Sequence, residues 1–108
     1  MSCRPALIEE FEERLNNTRF ANIRQRIIQK MAILLEHPLA NKTYFLHGDL
    51  AGKRAFSVSE NVRIIYAYCK RCRQENHVQL NNCHECSNMA DETVVFFTFD
   101  YHDKVYLT

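Results

Sequence analysis

Four cysteines stand in two pairs, and each pair has two residues between its members. The pairs are Cys69–Cys72 and Cys83–Cys86, separated by ten residues. Two such pairs can place four thiolates tetrahedrally around one Zn²⁺, which leaves no open position for catalysis. Two disulfides, free thiols or an iron–sulfur centre are the alternatives, but no export signal is visible and the cytosol keeps thiols reduced. The sequence therefore predicts a structural Zn²⁺ site and a cytoplasmic protein.

A second group of polar residues has the side chains needed to handle protons and phosphate. Its members are Lys53, Arg54, Glu60, Arg63, His102, Asp103 and Tyr106, and His47 beside Gly48 is a further candidate. Each also has a purely structural interpretation. A histidine after a strand is often a surface residue, and Arg63 in an apolar strand can simply pair with Glu60.

The charges are strongly segregated, although the net charge of the chain is only +1. Residues 14–73 carry twelve Lys or Arg against three acids, whereas the flanking segments are acidic. A basic central segment can bind a polyanion, because phosphate contacts dominate nucleic-acid affinity. Charges that merely solvate a helix and some strands are the alternative. A chain with 46% hydrophobic residues and two glycines is neither disordered nor collagen-like, and no apolar run is long enough to span a membrane.

Helical periodicity is clearest over residues 22–35. Six apolar residues recur there at spacings of three and four, namely Ile23, Ile27, Ile28, Met31, Leu34 and Leu35. Arg24, Arg26 and Lys30 fall on the other side, so the segment predicts an amphipathic helix with a basic outer face, ended by Pro38. Phe11 and Leu15 indicate a short preceding helix, and residues 4–8 fit either a helix start or an edge strand.

Most of the remaining apolar segments predict β-strands. Residues 53–58 and 62–68 predict a hairpin, and residues 93–101 (TVVFFTFDY) predict a central strand. Residues 44–50 predict a loop, and residues 105–107 an edge strand. We therefore expect one α+β domain over residues 1–108, with two N-terminal helices on one face of a small antiparallel sheet. Residues 69–92 form a cysteine-containing hairpin insertion in this interpretation.

Three segments, in this order, resemble the RelE-like toxins of bacterial toxin–antitoxin modules. They are a glycine-containing loop at 46–56, an Arg-hydrophobic-hydrophobic-Tyr run at 63–66 and a closing His-acid-x-Val-Tyr at 102–106. The chain departs from the family pattern in two places. Asp100–Tyr101 precedes His102 where the family usually has small residues, and better-known members lack the insertion.

The resemblance implies ribosome-dependent cleavage of mRNA, inhibition of growth and neutralisation by a cognate antitoxin, without a small-molecule cofactor or a membrane. Metal-free cleavage of RNA needs a base, an acid and cations for the developing phosphorane charge. We expect His102 to transfer protons, with Glu60 as a second candidate, and Arg63 to clamp phosphate. Tyr106 would orient the substrate. Further RNA contacts are expected from Lys53, Arg54, His47, Arg24, Arg26 and Lys30.

Two other functions are compatible with the sequence. Relatives of the same architecture poison DNA gyrase and lack a ribonuclease site, but the His102–Tyr106 segment favours the nuclease. A non-enzymatic zinc-knuckle adaptor would account for the cysteines alone, and it would leave Arg63 and His102 without a role.

Overall fold

A five-stranded mixed sheet is the centre of the fold, and the helices lie in the connections between its strands. The computed structural model describes residues 3–39, 43–46, 51–59, 61–75 and 89–101. The elements are β1 (Arg4–Leu7), α1 (Glu9–Leu15), a 3₁₀ turn (Thr18–Phe20), α2 (Arg24–Glu36), β2 (Thr43–Phe45), β3 (Arg54–Ser57), β4 (Val62–Tyr68), α3 (Cys69–Gln74) and β5 (Thr93–Tyr101).

The strands are ordered β1-β5-β4-β3-β2 across the sheet. All neighbouring pairs are antiparallel except β1 and β5, which run parallel with Arg4 opposite Thr93. β5 has a partner strand on each side. Consecutive residues of β5 are buried, so both of its faces are largely covered, and this explains its long apolar run. The predicted central strand, the β3–β4 hairpin and the α+β class are all confirmed.

The sheet also corrects two sequence predictions. Thr43–Phe45 forms β2, although we expected a loop over 44–50, because pairing with β3 supplies the hydrogen bonds that three residues cannot make alone. Cys69–Gln74 forms a short helix, α3, at the start of the segment expected to be a hairpin insertion. The ambiguous N-terminal segment is strand β1. The edge strand expected at 105–107 lies outside the described residues.

The face of the sheet that α1 and α2 cover holds the main hydrophobic core, and we call it the helix-covered face. Its buried residues are Phe11, Phe20, Ile27, Leu34, Phe56, Val58, Val62, Ile64, Tyr66, Val94, Phe96 and Phe99. The ring of Phe11 lies 5.3 Å from that of Phe96 and 5.1 Å from that of Phe99, between centroids. Burial of each such side chain contributes roughly 1.5–3 kcal/mol. The two N-terminal helices therefore pack on one face, as predicted.

Helix α2 confirms the predicted apolar stripe with one exception. Ile27 and Leu34 are fully buried, whereas Ile28 is 43% exposed. The helix ends at Glu36, two residues before Pro38, as the restriction on residues preceding proline requires. Among the helices of the described segments, none is long and apolar enough to cross a membrane.

Candidate nucleic-acid-binding and catalytic site

The opposite face of the sheet, which we call the far face, carries two of the predicted cationic site residues. Arg63 is on this face because its neighbours Val62 and Ile64 both point into the helix-covered core. Lys53 is placed there by its ammonium group, which lies 4.8 Å from the centroid of the Phe97 ring. Phe97 itself packs on a small second cluster of Leu46, Ala55 and Ile65.

Phe97 owes its place on the far face to a β-bulge. Ile65 is paired with Thr98 and Tyr66 with Phe96, so Phe97 is the extra residue of β5. A bulge locally re-aims side chains, which is why such irregularities are common next to functional sites. The sequence gives no signal for it, because TVVFFTFDY has the composition of an ordinary buried strand.

Arg63 is anchored at the turn between β3 and β4. Its Nη1 donates hydrogen bonds to the carbonyl oxygens of Ser59, at 2.8 Å, and Val62, at 3.1 Å. The structural interpretation of Arg63 named Glu60 as its partner, but Glu60 lies outside the described residues. What the structure describes is a guanidinium fixed in direction by the turn backbone, with Nη1 bound to two carbonyl oxygens.

Strand register brings the described neighbours of the predicted catalytic residues to one end of the sheet. Val62 is opposite Tyr101, and Arg63 is opposite both Ser57 and Asp100. Tyr101 directly precedes His102 in the chain. The β3–β4 turn, which contains Glu60 in the sequence, connects to β4 at this same end. His47, Glu60, His102 and Tyr106 themselves lie outside the described residues, so their predicted roles stay predictions.

Arg54 lies on the helix-covered face, away from Lys53 and Arg63. Its Nη2 donates to the Thr43 hydroxyl at 3.0 Å, and it also forms a hydrogen bond with Tyr66. The alternation in β3 puts Arg54 on the same side of the strand as Phe56, which is in the core. Thr43 and Tyr66 give this guanidinium polar partners there, while its buried Nε has none among the described residues. Its predicted contact with RNA stays a prediction.

Tyr66 connects this polar cluster to the end of α2. Its side chain is fully buried, and its hydroxyl donates to the carbonyl oxygen of Pro38 at 2.5 Å. Burial raises the pKa of the Tyr66 phenol above its usual value of 10.0, and hydrogen bonds with Thr43 and Arg54 oppose that rise. The phenol therefore stays protonated and joins the segment after α2 to β4.

The three basic residues predicted on the outer face of α2 have different environments. Arg24 donates from Nε to the carbonyl oxygen of Leu15 at 2.5 Å, which ties α2 to the end of α1. The Lys30 ammonium lies 5.5 Å from the centroid of the Phe56 ring. Arg26 is exposed. All three belong to the helix that covers the face opposite Arg63, so the predicted RNA-contacting residues do not share one face.

Cys69 and Cys72 lie one turn apart on α3 and are both buried, at 4% and 8% exposure. The i, i+3 spacing puts their side chains on the same side of the helix, about 5–6 Å apart at Cβ. Cys83 and Cys86 lie outside the described residues. Among the residues that are described, no group of three or more metal-binding side chains is present. The predicted Zn²⁺ ligand set is therefore only half described, and the Zn²⁺ site stays a prediction.

A groove of about 780 Å³ lies between the end of α2 and α3. It is lined by Glu36, Leu39, Lys70 and Gln74, among others. None of the predicted catalytic or RNA-binding residues in the described part of the chain lines it. The far face of the sheet, not this groove, therefore carries the candidate site.

A scan of the sequence against protein-family models finds no match, and a comparison with curated proteins finds none either. Solved structures do match over nearly the whole chain. A YoeB/ParE toxin from Agrobacterium tumefaciens superposes with a TM-score of 0.63 at 13% identity, over 92% of this chain and 98% of its own. YafQ from E. coli gives 0.60 at 13% identity, over 96% and 98%. The E. coli DinJ–YafQ toxin–antitoxin complex gives 0.59 at 14% identity, over 98% and 99%.

Proposed function

We propose that this chain, which has the RelE/ParE-like toxin fold, is the toxin of a toxin–antitoxin module and cleaves mRNA on the ribosome. The observation that carries the proposal is the match of the whole fold to toxins, one of them in a complex with its antitoxin. A cognate antitoxin is accordingly the expected protein partner, and the ribosome with its mRNA the expected target.

The far face supplies the electrostatic part of the proposed reaction. In metal-free cleavage the 2′-oxygen loses its proton and attacks the adjacent phosphorus, and the bond from phosphorus to the 5′-oxygen breaks. The extra negative charge of the phosphorane needs fixed cations. Arg63, held by the β3–β4 turn, is proposed to contact the phosphate oxygens, and Lys53 to bind a neighbouring phosphate.

His102 is proposed to move the protons of this reaction. An imidazole with an ordinary pKa near 6.5 can both accept a proton and donate one at neutral pH. Glu60 is the second candidate for proton transfer, and Tyr106 is proposed to orient the substrate. The assignment of His102 is supported by the strand register. Tyr101, the residue before His102 in the chain, is opposite Val62, so the end of β5 and the start of β4 with Arg63 lie at the same end of the sheet.

Controlled expression tests this function in living cells. We expect induction of the wild-type chain to stop growth and to create new transcript ends within translated regions. The His102→Ala chain, produced at the same level, should allow growth and leave transcripts whole. Growth arrest with intact transcripts and inhibited DNA supercoiling would support a gyrase poison instead. The absence of any growth effect from the wild-type chain would contradict the toxin assignment.

A structural Zn²⁺ is a second, separate proposal. It is supported by the spacing of the two cysteine pairs and by the burial of Cys69 and Cys72 on one side of α3. Buried thiolates at this spacing suit Zn²⁺, which binds sulfur ligands in a closed tetrahedron. The ion would fix the segment between β4 and β5 and would take no part in cleavage.

A further inference from the structure

An aromatic ring stands on the far face beside the two cations of the candidate site. Phe97 is the extra residue that the β-bulge leaves without an opposite residue on β4. Phe96 and Phe99, the other phenylalanines of β5, are fully buried in the core, whereas Phe97 is only half-buried. Phe97 is therefore the phenylalanine of this strand that a ligand can reach.

The Phe97 ring has both apolar and cationic contacts. Its side chain packs on the cluster of Leu46, Ala55 and Ile65. The Lys53 ammonium lies 4.8 Å from the ring centroid. A charged ammonium group stays in contact with water or polar partners, so the part of the ring that it faces is not enclosed in the apolar core. The ring thus has an apolar support and an accessible cationic side.

Arg63 lies close to this ring on the same face of the sheet. Arg63 and Ile65 are two residues apart on β4, so they point to the same side and are roughly 6.6 Å apart along the strand. Phe97 packs against the cluster that contains Ile65. The ring is therefore next to the phosphate site proposed at Arg63, further along β4 from the β3–β4 turn.

We propose that Phe97 and Lys53 form a nucleotide subsite for single-stranded RNA, in which a base stacks on the Phe97 ring and Lys53 binds the phosphate of that nucleotide. The inference rests on the proposed function and deepens it, since it states how the RNA strand is held beside Arg63. An accessible aromatic ring with cations around it is the combination that binds unpaired bases and their backbone.

Binding of the base requires the Lys53 ammonium to leave the ring. Stacking of a base on an aromatic side chain is stronger than an exposed contact between a cation and a ring, so the base displaces the ammonium. The flexible four-carbon stem of Lys53 lets the ammonium move onto the adjacent phosphate. The same two side chains therefore contact each other in the free protein and the nucleotide in the complex.

Binding of a short single-stranded oligoribonucleotide at low salt tests the subsite without ribosomes and without cleavage. Fluorescence anisotropy of the labelled oligoribonucleotide gives Kd. Phe97→Leu keeps an apolar cover over the cluster but has no ring, so we expect its Kd to rise roughly tenfold. Phe97→Tyr keeps the ring and should bind within about twofold of wild type. Circular dichroism verifies that each variant is folded.

Two further measurements separate the base from the phosphate. An oligoribonucleotide backbone without bases should bind wild type and Phe97→Leu equally. Lys53→Gln should make the slope of log Kd against log salt less steep by about 0.7, the share of one phosphate in a single strand. Phe97→Leu should leave this slope unchanged, because it removes no charge.

Phe45→Leu is the matched control. Phe45 is a half-buried phenylalanine of β2 and is opposite Arg54, so its ring is on the helix-covered face. This variant loses an aromatic ring of the sheet away from Lys53, and it should bind the oligoribonucleotide as tightly as wild type.

The proposal is overturned if wild type does not bind the oligoribonucleotide, if folded Phe97→Leu binds it as tightly as wild type, or if Phe45→Leu loses as much affinity. Loss of antitoxin binding in Phe97→Leu, with RNA binding unchanged, would also overturn it, since the ring would then contact a protein. The proposed function fails separately. A wild-type chain that cleaves no mRNA on ribosomes contradicts that function, whereas base-dependent binding at Phe97 would still support the subsite.

Discussion

Arg63 has both a structural role in the β3–β4 turn and a proposed role in phosphate binding. Its guanidinium holds the β3–β4 turn through Ser59 and Val62, and it stands on the far face beside the end of β5. A side chain already fixed in direction loses little freedom when it binds an anion. Preorganised donors of this kind are the largest single contribution in many enzymes.

Replacement of Arg63 should therefore lower the rate of mRNA cleavage more than it weakens binding to the ribosome. We expect Arg63→Ala to slow cleavage by roughly 10²–10³-fold. Arg63→Lys should recover little, because one ammonium group cannot hold the turn carbonyl oxygens and also present a second donor nitrogen to the phosphate. Single-turnover cleavage on ribosomes measures the effect. The control is Arg71→Lys, since Arg71 pairs with Glu75 on the exposed side of α3 and should cleave normally. A wild-type rate in Arg63→Ala would show that Arg63 serves the turn alone.

Tyr66 gives a prediction about stability and pH. Its pKa is raised by burial in the folded state, so the unfolded chain releases this proton first as pH rises. Its contribution to stability is complete below about pH 10 and is lost as pH rises above that value. Tyr66→Phe should lower the free energy of unfolding at pH 7 by about 1–3 kcal/mol, because the Pro38 carbonyl loses its donor.

Urea denaturation at pH 7 and above pH 10 tests both statements about Tyr66. The variant should start less stable than wild type and lose less stability as the pH rises. Tyr44→Phe is the control, since the Tyr44 side chain is 40% exposed, and it should follow the wild-type curve. If the free energy of unfolding falls equally with rising pH in wild type and in Tyr66→Phe, burial does not raise the pKa of Tyr66 as assigned.

At the scale of elements, α3 contains the first of the two cysteine pairs found in the sequence. The helix begins directly after β4, and both of its cysteines are buried. A helix of six residues is too short to be stable alone, so its position depends on tertiary contacts or a bound ion. The proposed role of the cysteine pairs in binding Zn²⁺ can therefore be tested without any assay of RNA cleavage.

Metal analysis of the reduced protein checks the Zn²⁺ proposal. We expect about one Zn²⁺ per chain, lost when Cys69→Ser and Cys83→Ser are combined. The sheet should persist in circular dichroism, because the described core of the helix-covered face does not include Cys69. Cys3→Ser is the control and should retain the ion. Freshly purified wild-type protein without bound metal would refute the proposal.

For the whole molecule, local patterns predicted most of the fold. Alternation and β-branched residues identified the β3–β4 hairpin and β5, and 3.6-residue periodicity identified α2. The three-residue β2 was missed because its stability comes from its partner strand. The bulge at Phe97 and the ion pair of Arg14 with Asp100 were missed as well, because both depend on contacts between distant segments.

The candidate site is predictable only in part, because it too depends on contacts between distant segments. The type of Arg63 and its place in an apolar strand were visible in the sequence, but its fixation by the turn was not. The sequence also grouped the basic residues into one charged segment. The sheet separates them, because Lys53 lies on the far face and Arg26 belongs to the helix packed on the other.

Product analysis on purified translating ribosomes tests the central claim most directly. The wild-type chain should cut mRNA within translated codons and leave 2′,3′-cyclic phosphate ends, because the 2′-oxygen is the nucleophile. His102→Ala should be slower by roughly 10²–10⁴-fold, the usual range for a lost general acid or base, while binding ribosomes normally. Intact mRNA with wild-type protein, or ends bearing a 3′-hydroxyl, would contradict the account.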